Sequence, residues 1–220
     1  MDYEIMMNGI VKIGQYAPEF EATSTNGKIS LSDYKGKWVV LFSHPGDFTP
    51  VCTTEFIAFS QANKYFENLN TQLIGLSVDS NSSHLAWLYN ILQKTGIEVP
   101  FPVIADRSGE IARKYGMISN DVSTTETVRN VFIIDDKGIV RTIFIYPLRV
   151  VEALQVADCN KASTPANWVP GQPIIKPAPT TFKDLQRRVE EIEKDKNGMS
   201  WYLSFKQSEE KCNKQLEKGK

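Results

Sequence analysis

Two apolar runs separated by a helical pattern constrain the fold of this chain more than any other feature. Trp38-Val-Val-Leu-Phe-Ser43 and Thr71-Gln-Leu-Ile-Gly-Leu-Ser-Val-Asp79 are short and apolar, as buried strands are. Between them, Thr53–Phe66 carries apolar residues at spacings of three and four, which is typical of one face of a helix. These residues are Phe56, Phe59, Ala62 and Phe66. A strand, a helix and a strand in this order predict a βαβ unit with parallel strands.

The remaining patterns extend this unit into a larger α/β fold. Turn dipeptides and periodic apolar residues predict further elements on both sides of it. They are a hairpin turning at Asn26-Gly27, a helix capped by Ser82 or Ser83 with Leu85, Leu88 and Leu92 on one face, a strand at Phe101–Asp106, a short helix at Glu110–Tyr115, and a hairpin of Val128–Ile134 with Ile139–Tyr146. Together they predict a central mixed sheet flanked by helices.

The composition of the chain changes near Asp158, which predicts a boundary there. Residues 1–158 form the predicted main domain, and residues 159–220 form a C-terminal extension. The extension begins with the turn-rich segments Thr164–Gly171 and Pro173–Pro179. Thr181-Phe-Lys-Asp184 has the pattern of a capping box at the start of a helix, and the last residues are charged, as solvated termini are.

Charge and cysteine content exclude several classes of protein. A formal net charge of −1 gives no electrostatic basis for binding nucleic acid or an anionic membrane. No apolar run is long enough to span a membrane, and the acidic N-terminus is unlike a signal peptide. Three unevenly spaced cysteines do not form a disulfide framework, so the sequence predicts a reducing, cytoplasmic location.

The position of Cys52 at the start of the predicted helix makes this thiol a candidate nucleophile. Unpaired backbone N–H groups and the helix dipole favour an anion at a helix N-terminus. Thiols placed there have a lowered pKa, and the thiolate is the reactive form. The alternative is a small hydrophobic residue buried in the first turn. The residues that precede Cys52 decide between these two interpretations.

Pro45, Thr49 and Cys52 form the pattern Pro-x-x-x-Thr-x-x-Cys, which resembles the active-site signature of peroxiredoxins. These are thiol peroxidases with a thioredoxin-like fold. The longer string Phe-Ser-His-Pro-x-Asp-Phe-Thr-Pro-Val-Cys-Thr-Thr-Glu is similar to the branch called one-cysteine peroxiredoxins. The resemblance runs from about Gly14 to Trp201 and implies a thioredoxin-like core with a C-terminal extension.

The resemblance implies a role for each of five residues. Cys52 would be the peroxidatic thiolate, which attacks a peroxide oxygen and becomes a sulfenic acid. Thr49 would hydrogen-bond to the peroxide and the thiolate, and Pro45 would shield the pocket from water. Arg129, on an otherwise apolar predicted strand, would stabilise the thiolate and the charge that develops on oxygen. His44 would line the pocket, and a structural hydrogen-bonding role is the alternative for this residue.

Competing functions find little support in the sequence. A thioredoxin-type disulfide oxidoreductase needs Cys-x-x-Cys, and Thr49 stands in place of the first cysteine. The phospholipase motif of some relatives, Gly-x-Ser-x-Gly, is lost because Lys37 occupies the position of its serine. The sequence has no closely spaced His or Cys pairs and therefore predicts no metal site, and no cofactor is expected. His84 is interpreted as a surface or packing residue. A holdase chaperone role remains as a second, non-enzymatic function.

The resemblance leaves the regeneration of the thiol open. The resolving cysteine that two-cysteine relatives carry shortly before the equivalent of Trp168 is missing, and Gly198 and Ser204 stand where archaeal relatives have a cysteine pair. Cys159 and Cys212 are interpreted as spare surface thiols, with a resolving role as the alternative. The sequence therefore predicts a one-cysteine mechanism that uses an external reductant, either a thioredoxin-like protein or a small thiol.

The resemblance also implies an assembly and points to one departure from the family. In relatives the C-terminal region arches over a partner subunit, which implies a homodimer or a decameric ring of dimers. Relatives carry a longer stretch, with a supporting arginine, between the equivalents of Tyr146 and Arg149. The short connection in this chain is either a true deletion or a gap in the sequence.

Overall fold

The computed structural model describes residues 11–118, 123, 125–144, 149–166, 168–169, 171–195 and 198–209. Its contacts divide the chain into two compact units. The first comprises Met1–Asp47, Phe59–Asn90 and Glu98–Ile145, and the second comprises Phe48–Ala58, Ile91–Ile97 and Tyr146–Lys220. The predicted domain boundary near residue 158 was placed at a change in composition, whereas these two units are defined by contacts. The boundary therefore stays a prediction. The short connection at residues 146–148 lies outside the described residues.

The first unit contains a seven-stranded mixed sheet. Its strands are β1 (Glu21–Ser24), β2 (Gly27–Ser30), β3 (Trp38–Ser43), β4 (Thr71–Ser77), β5 (Val103–Ala105), β6 (Val131–Ile134) and β7 (Val140–Phe144), in the order β2-β1-β5-β4-β3-β6-β7. β3 and β4 are parallel, with Trp38 opposite Thr71, and β6 is antiparallel to both β3 and β7. The predicted βαβ unit and the mixed sheet flanked by helices are therefore confirmed.

Three helices connect the strands of this sheet. They are α1 (Pro50–Asn68), α2 (Asn81–Thr95) and α3 (Glu110–Lys114), and a 3-10 turn at Leu31–Tyr34 precedes β3. The N-terminal hairpin turns at Gly27, whose φ of 91° lies in the left-handed region that favours glycine. Both predicted hairpins are present, although β6 begins at Val131, three residues later than the sequence predicts.

The buried face of α2 differs from the sequence prediction. The helix begins at Asn81, and the side chain of Ser80 accepts a hydrogen bond from the backbone N–H of Ser83, so Ser80 is the cap. Leu85 and Leu92 are exposed, whereas His84, Trp87 and Ile91 are buried. The three leucines Leu85, Leu88 and Leu92 share a face of the helix, as predicted, but a second face with the same helical spacing is the buried one, and it carries the histidine and the tryptophan.

The central strand β3 contributes a fully buried side chain, Leu41, to the core of the first unit. Leu41→Ala is expected to lower the free energy of unfolding by about 3 kcal/mol, since it removes buried methyl groups and leaves a cavity. Denaturant unfolding followed by circular dichroism measures the change. The control Leu69→Ala replaces a leucine that is 53% exposed and is expected to cost less than about 0.5 kcal/mol. Equal losses in the two variants would contradict this account of the core.

The second unit holds the remaining elements. They are α4 (Arg149–Asn160), β8 (Ile174–Ile175), α5 (Phe182–Asp195), β9 (Gly198–Ser200) and β10 (Leu203–Lys206), and the strands form a sheet in the order β8-β10-β9. The predicted cap of α5 is present, since the Thr181 hydroxyl accepts the Asp184 N–H at 3.1 Å. No helix among the described residues is long and apolar enough to cross a membrane.

Candidate active site

The strand β3 leads directly into the segment that carries the sequence signature. The backbone N–H of His44 donates to the carbonyl of Leu76 at 3.0 Å, so His44 continues the parallel pairing of β3 with β4. The chain then turns, and Phe48 adopts a φ of 54°, which is uncommon for a residue other than glycine. In the second unit the ring of Phe48 meets that of Tyr202 edge to face, with centroids 5.6 Å apart. This contact holds the entry to α1.

Cys52 is the third residue of α1 and is 0% exposed. The helix is initiated by Thr49, whose carbonyl accepts the N–H of Thr53 at 3.1 Å, and by Pro50, whose fixed φ suits the first helical position. The first turn is also tied to the C-terminal region, because the Thr54 hydroxyl accepts the Ala166 N–H at 2.9 Å. Cys52 is not disulfide-bonded, and it lies in the first turn of the helix, where the helix dipole favours an anion.

Arg129 lies beside the end of β3, in the extended segment before β6. In this segment Asn130 accepts the N–H of Ser43 through its carbonyl at 3.0 Å and donates its own N–H to the Ser43 hydroxyl at 3.2 Å. The Thr127 hydroxyl donates to the carbonyl of His44. Arg129 is half-buried and precedes the strand, so its predicted place on a strand was wrong by two residues.

His44, Asp47 and His84 form a buried cluster in the first unit, referred to below as the His-Asp-His cluster. Their side chains are 0%, 2% and 0% exposed. Nε2 of His44 lies 3.1 Å from Oδ1 of Asp47, and Nδ1 of His84 lies 2.9 Å from both oxygens of this carboxylate. Nε2 of His84 lies 3.2 Å from the carbonyl of Ile104. The carboxylate of Asp47 is therefore held between two imidazole rings.

The environment of the cluster shifts the pKa of Asp47 and of His44 downward. Burial raises the pKa of Asp47, but the hydrogen bonds from His44 and His84 outweigh burial and bring this pKa to about 2. Burial lowers the pKa of His44, and the hydrogen bond and charge of Asp47 oppose this only in part. Asp47 is therefore ionised at neutral pH, and His44 is a neutral imidazole.

The same three side chains raise the question of a bound cation, because their ligand atoms all lie within 4.8 Å of one another. The nitrogen-to-oxygen distances of 2.9 and 3.1 Å are those of hydrogen bonds. The ring protons that these bonds require occupy the nitrogen lone pairs that a metal would use. We therefore assign the cluster as hydrogen-bonded imidazoles around a carboxylate.

The structure distributes the predicted site residues over both units. His44, Pro45 and Arg129 belong to the first, and Thr49 and Cys52 belong to the second.

The sequence prediction missed the partners of His44. Asp47 was not singled out. Of the two interpretations of His84, a surface residue is wrong and a packing residue is confirmed, because its side chain is fully buried. One signal in the sequence could have indicated that His84 is buried. His84 and Trp87 are spaced to lie on one face of a helix, and this helix follows a strand that is parallel to β3.

Cys159 differs from the sequence prediction of a spare surface thiol. It lies in the last turn of α4, is half-buried and is disulfide-bonded. Cys52 is a thiol in the same structure and is therefore not its partner. Cys212, for which the same prediction was made, lies outside the described residues. Next to Cys159, the side chain of Asn160 bonds to the Ser208 hydroxyl and the Glu209 N–H, so this end of α4 is fastened to the chain near residue 208.

A mixed sheet with a βαβ unit and a cysteine in the first turn of its helix define a protein of the thioredoxin-fold class with a thiol-based site. A sequence profile of the AhpC/TSA family matches residues 13–143. A second profile, the C-terminal domain of 1-Cys peroxiredoxin, matches residues 153–191. The chain belongs to the AhpC/TSA family and is a peroxiredoxin, a thiol peroxidase of the one-cysteine type.

Individual relatives agree with this assignment. Peroxiredoxin 2 of Caldanaerobacter subterraneus subsp. tengcongensis is 55% identical over 205 residues, which cover 89% of this chain and 92% of the relative. A yeast mitochondrial 1-Cys peroxiredoxin has a similar structure, with a TM-score of 0.58, 38% identity, and coverage of 90% of this chain and 100% of the other. A Cys-to-Ser mutant of peroxiredoxin 6 of Arenicola marina has a TM-score of 0.57 and 36% identity, and the match covers 80% and 88% of the two chains.

Proposed function

We propose that this thiol peroxidase reduces hydrogen peroxide and organic hydroperoxides through a sulfenic acid on Cys52. The thiolate attacks one peroxide oxygen, the O–O bond breaks, and the other oxygen leaves as water or an alcohol once it has taken up a proton. Two equivalents of an external thiol then convert the sulfenic acid back to the thiol, forming a disulfide and water. The observation that carries this proposal is the fully buried thiol in the first turn of α1.

We assign the surrounding residues the roles that the family signature implies. Arg129 stabilises the thiolate and the charge that develops on the leaving oxygen. Thr49 hydrogen-bonds to the peroxide, Pro45 limits the access of water, and His44 lines the pocket. In support, Thr49 initiates the helix that carries Cys52, and the segment with Arg129 is hydrogen-bonded to the end of β3.

The burial of Cys52 also bears on its regeneration. A thiol that is 0% exposed cannot be reached by the thiol of a protein or peptide reductant in this arrangement. The first turn of α1 must therefore open locally before the sulfenic acid is reduced. The related yeast protein has a thiol resolving mechanism via glutathione/thioredoxin systems. We propose a reductant of the same kind here, either a small thiol or a thioredoxin-like protein.

The assembly, the location and the second role stay predictions from the sequence. We propose a homodimer, or a decameric ring of dimers, as the family resemblance implies. The cytoplasmic location and the holdase activity likewise come only from composition and resemblance. Aggregation assays with a client protein and the Cys52→Ser variant would separate chaperone action from peroxidase action.

One equivalent of hydrogen peroxide, added with a sulfenic-acid trap, is expected to place one trap adduct on Cys52. The helix N-terminus favours the thiolate of this residue, and the thiolate is the form that peroxide oxidises. Intact mass and peptide mapping measure the adduct. The same maps are expected to show Cys159 in a disulfide that does not include Cys52. A stoichiometric disulfide between Cys52 and Cys159 would contradict the one-cysteine cycle, and an unmodified Cys52 would contradict the proposed function.

A further inference from the structure

The ring of His84 faces two groups that only accept hydrogen bonds. Nδ1 lies 2.9 Å from the carboxylate of Asp47, and Nε2 lies 3.2 Å from the carbonyl of Ile104. A neutral imidazole has one N–H and one bare lone pair, so one of these contacts would set a lone pair against an oxygen. Protons on both nitrogens satisfy both contacts. The low pKa of Asp47 agrees with this, because an ionised carboxylate is the matching partner.

His44 occupies the other side of the same carboxylate. Its Nε2 lies 3.1 Å from Oδ1 of Asp47, so Nε2 carries the proton, and a neutral ring then has its lone pair on Nδ1. The rings of His44 and His84 have centroids 6.0 Å apart, and a positive charge on one disfavours a positive charge on the other. The ring of Trp87 covers His44 at 5.1 Å and keeps this side of the cluster apolar.

Further polar groups around the cluster help to hold the Asp47 carboxylate in place. The side chain of Asp79, which follows β4, accepts the backbone N–H of Asp47 at 3.0 Å and the Ser77 hydroxyl at 2.8 Å. From α2, the Ser83 hydroxyl donates to Asp47. Asp79 is the second negative charge near His44, so the balance of charge at His44 is set by two carboxylates and the ring of His84.

We propose that His84 is a positioning residue: a buried imidazolium, paired with Asp47, that holds His44 in the neutral form with the proton on Nε2 and the lone pair on Nδ1. This proposal rests on the proposed function only where it concerns peroxide reduction. In this neutral form, with the proton on Nε2, the ring of His44 can accept a proton at Nδ1. Burial is the larger cause that keeps His44 neutral, and the charge on His84 adds to it against the two carboxylates, so losing this charge would raise the titration midpoint of His44.

Nuclear magnetic resonance of the untagged, 15N-labelled protein tests the charge states directly, because the chain has two histidines. Between pH 6 and 8 one ring is expected to show protons on both nitrogens, and the other a proton on Nε2 only. This measurement requires no variant and no peroxidase activity. Two neutral rings in this range would overturn the proposal. A change in the ring signals on adding the metal chelator EDTA would also overturn it, since the cluster would then hold a metal.

His84→Gln tests the influence on His44. The amide keeps a hydrogen-bond donor next to Asp47 and removes the charge. The titration midpoint of His44, now the single histidine, is expected to rise by about one pH unit or more, because a nearby positive charge is lost while the carboxylates remain. Ser83→Ala is the matched control: it removes one neutral hydrogen bond to Asp47 and is expected to leave both rings in their original charge states. An unchanged His44 midpoint in His84→Gln would overturn the proposal.

The peroxidase reaction gives a separate readout. In His84→Gln the ratio of kcat/KM at pH 6 to kcat/KM at pH 8 is expected to fall below the wild-type ratio, while Ser83→Ala keeps the wild-type ratio. The reason is that a higher titration midpoint of His44 lowers its neutral fraction more at pH 6 than at pH 8. A merely structural role would lower the rate equally at all pH values, and that outcome would contradict the link to His44. Absence of peroxide consumption by the wild type would instead contradict the proposed function and leave the magnetic resonance result intact.

Discussion

Replacing Cys52 by serine is expected to abolish peroxide reduction, with a loss in kcat/KM of at least about a thousandfold. A serine hydroxyl has nearly the same size but is not ionised at neutral pH and is a much weaker nucleophile. The side chain is fully buried in the first turn of α1, and a replacement of nearly the same size is expected to preserve the fold there. Peroxide consumption coupled to a thiol reductant measures the effect, and circular dichroism checks the fold.

The chain offers a matched control for this experiment in Cys159→Ser. Cys159 is disulfide-bonded and lies in α4, so its replacement is expected to leave the initial rate of peroxide consumption within about twofold of wild type. Activity retained in Cys52→Ser and lost in Cys159→Ser would reverse the assignment of the peroxidatic residue.

Arg129→Met is expected to lower kcat/KM by about a hundredfold to a thousandfold, the usual effect of removing one group that stabilises charge in a transition state. Methionine keeps much of the volume of the side chain and removes its charge and hydrogen-bond donors. If the guanidinium also favours the thiolate, alkylation of Cys52 by iodoacetamide at pH 7 is expected to slow by about tenfold. Arg129→Lys is expected to fall between the two, because lysine keeps the charge and loses the planar donor pair.

Arg141→Met serves as the control for the loss of a positive charge. The Arg141 side chain is 56% exposed and pairs with Asp135 at 3.1 Å near the β6–β7 turn. Its replacement is expected to change kcat/KM by less than about twofold, since exposed ion pairs contribute little. Arg129→Met and Arg141→Met variants with equal activity would show that Arg129 has no special role in the reaction.

The architecture around β3, α1 and β4 could be predicted from the sequence because local signals determine it. A short apolar run must be buried on both faces, and a period of three to four residues places Phe56 and its neighbours on one side of a helix. The reactive position of Cys52 follows from the same pattern, since a residue just inside a helix N-terminus meets unpaired N–H groups wherever the helix packs. The resemblance to peroxiredoxins then depended on the identity and spacing of Pro45, Thr49 and Cys52.

The surroundings of His44 could not be predicted, because they depend on residues distant in sequence. Asp47 and His84 are 37 residues apart, and they meet because the parallel strands β3 and β4 end at the same edge of the sheet, where α2 begins. One face of α2 carries Leu85 and another carries His84 and Trp87, and both faces have the spacing of a helix. Only the packing of α2 decided that His84 and Trp87 face inward.

Sequence alone thus determined the thiol and the helix that presents it, because both depend on neighbours a few residues away. Only the tertiary structure decided which side chains surround His44 and which protonation state they impose. The effect of one buried charge on the pKa of another depends on the distance between them. The sheet determines this distance, and the local sequence does not show it.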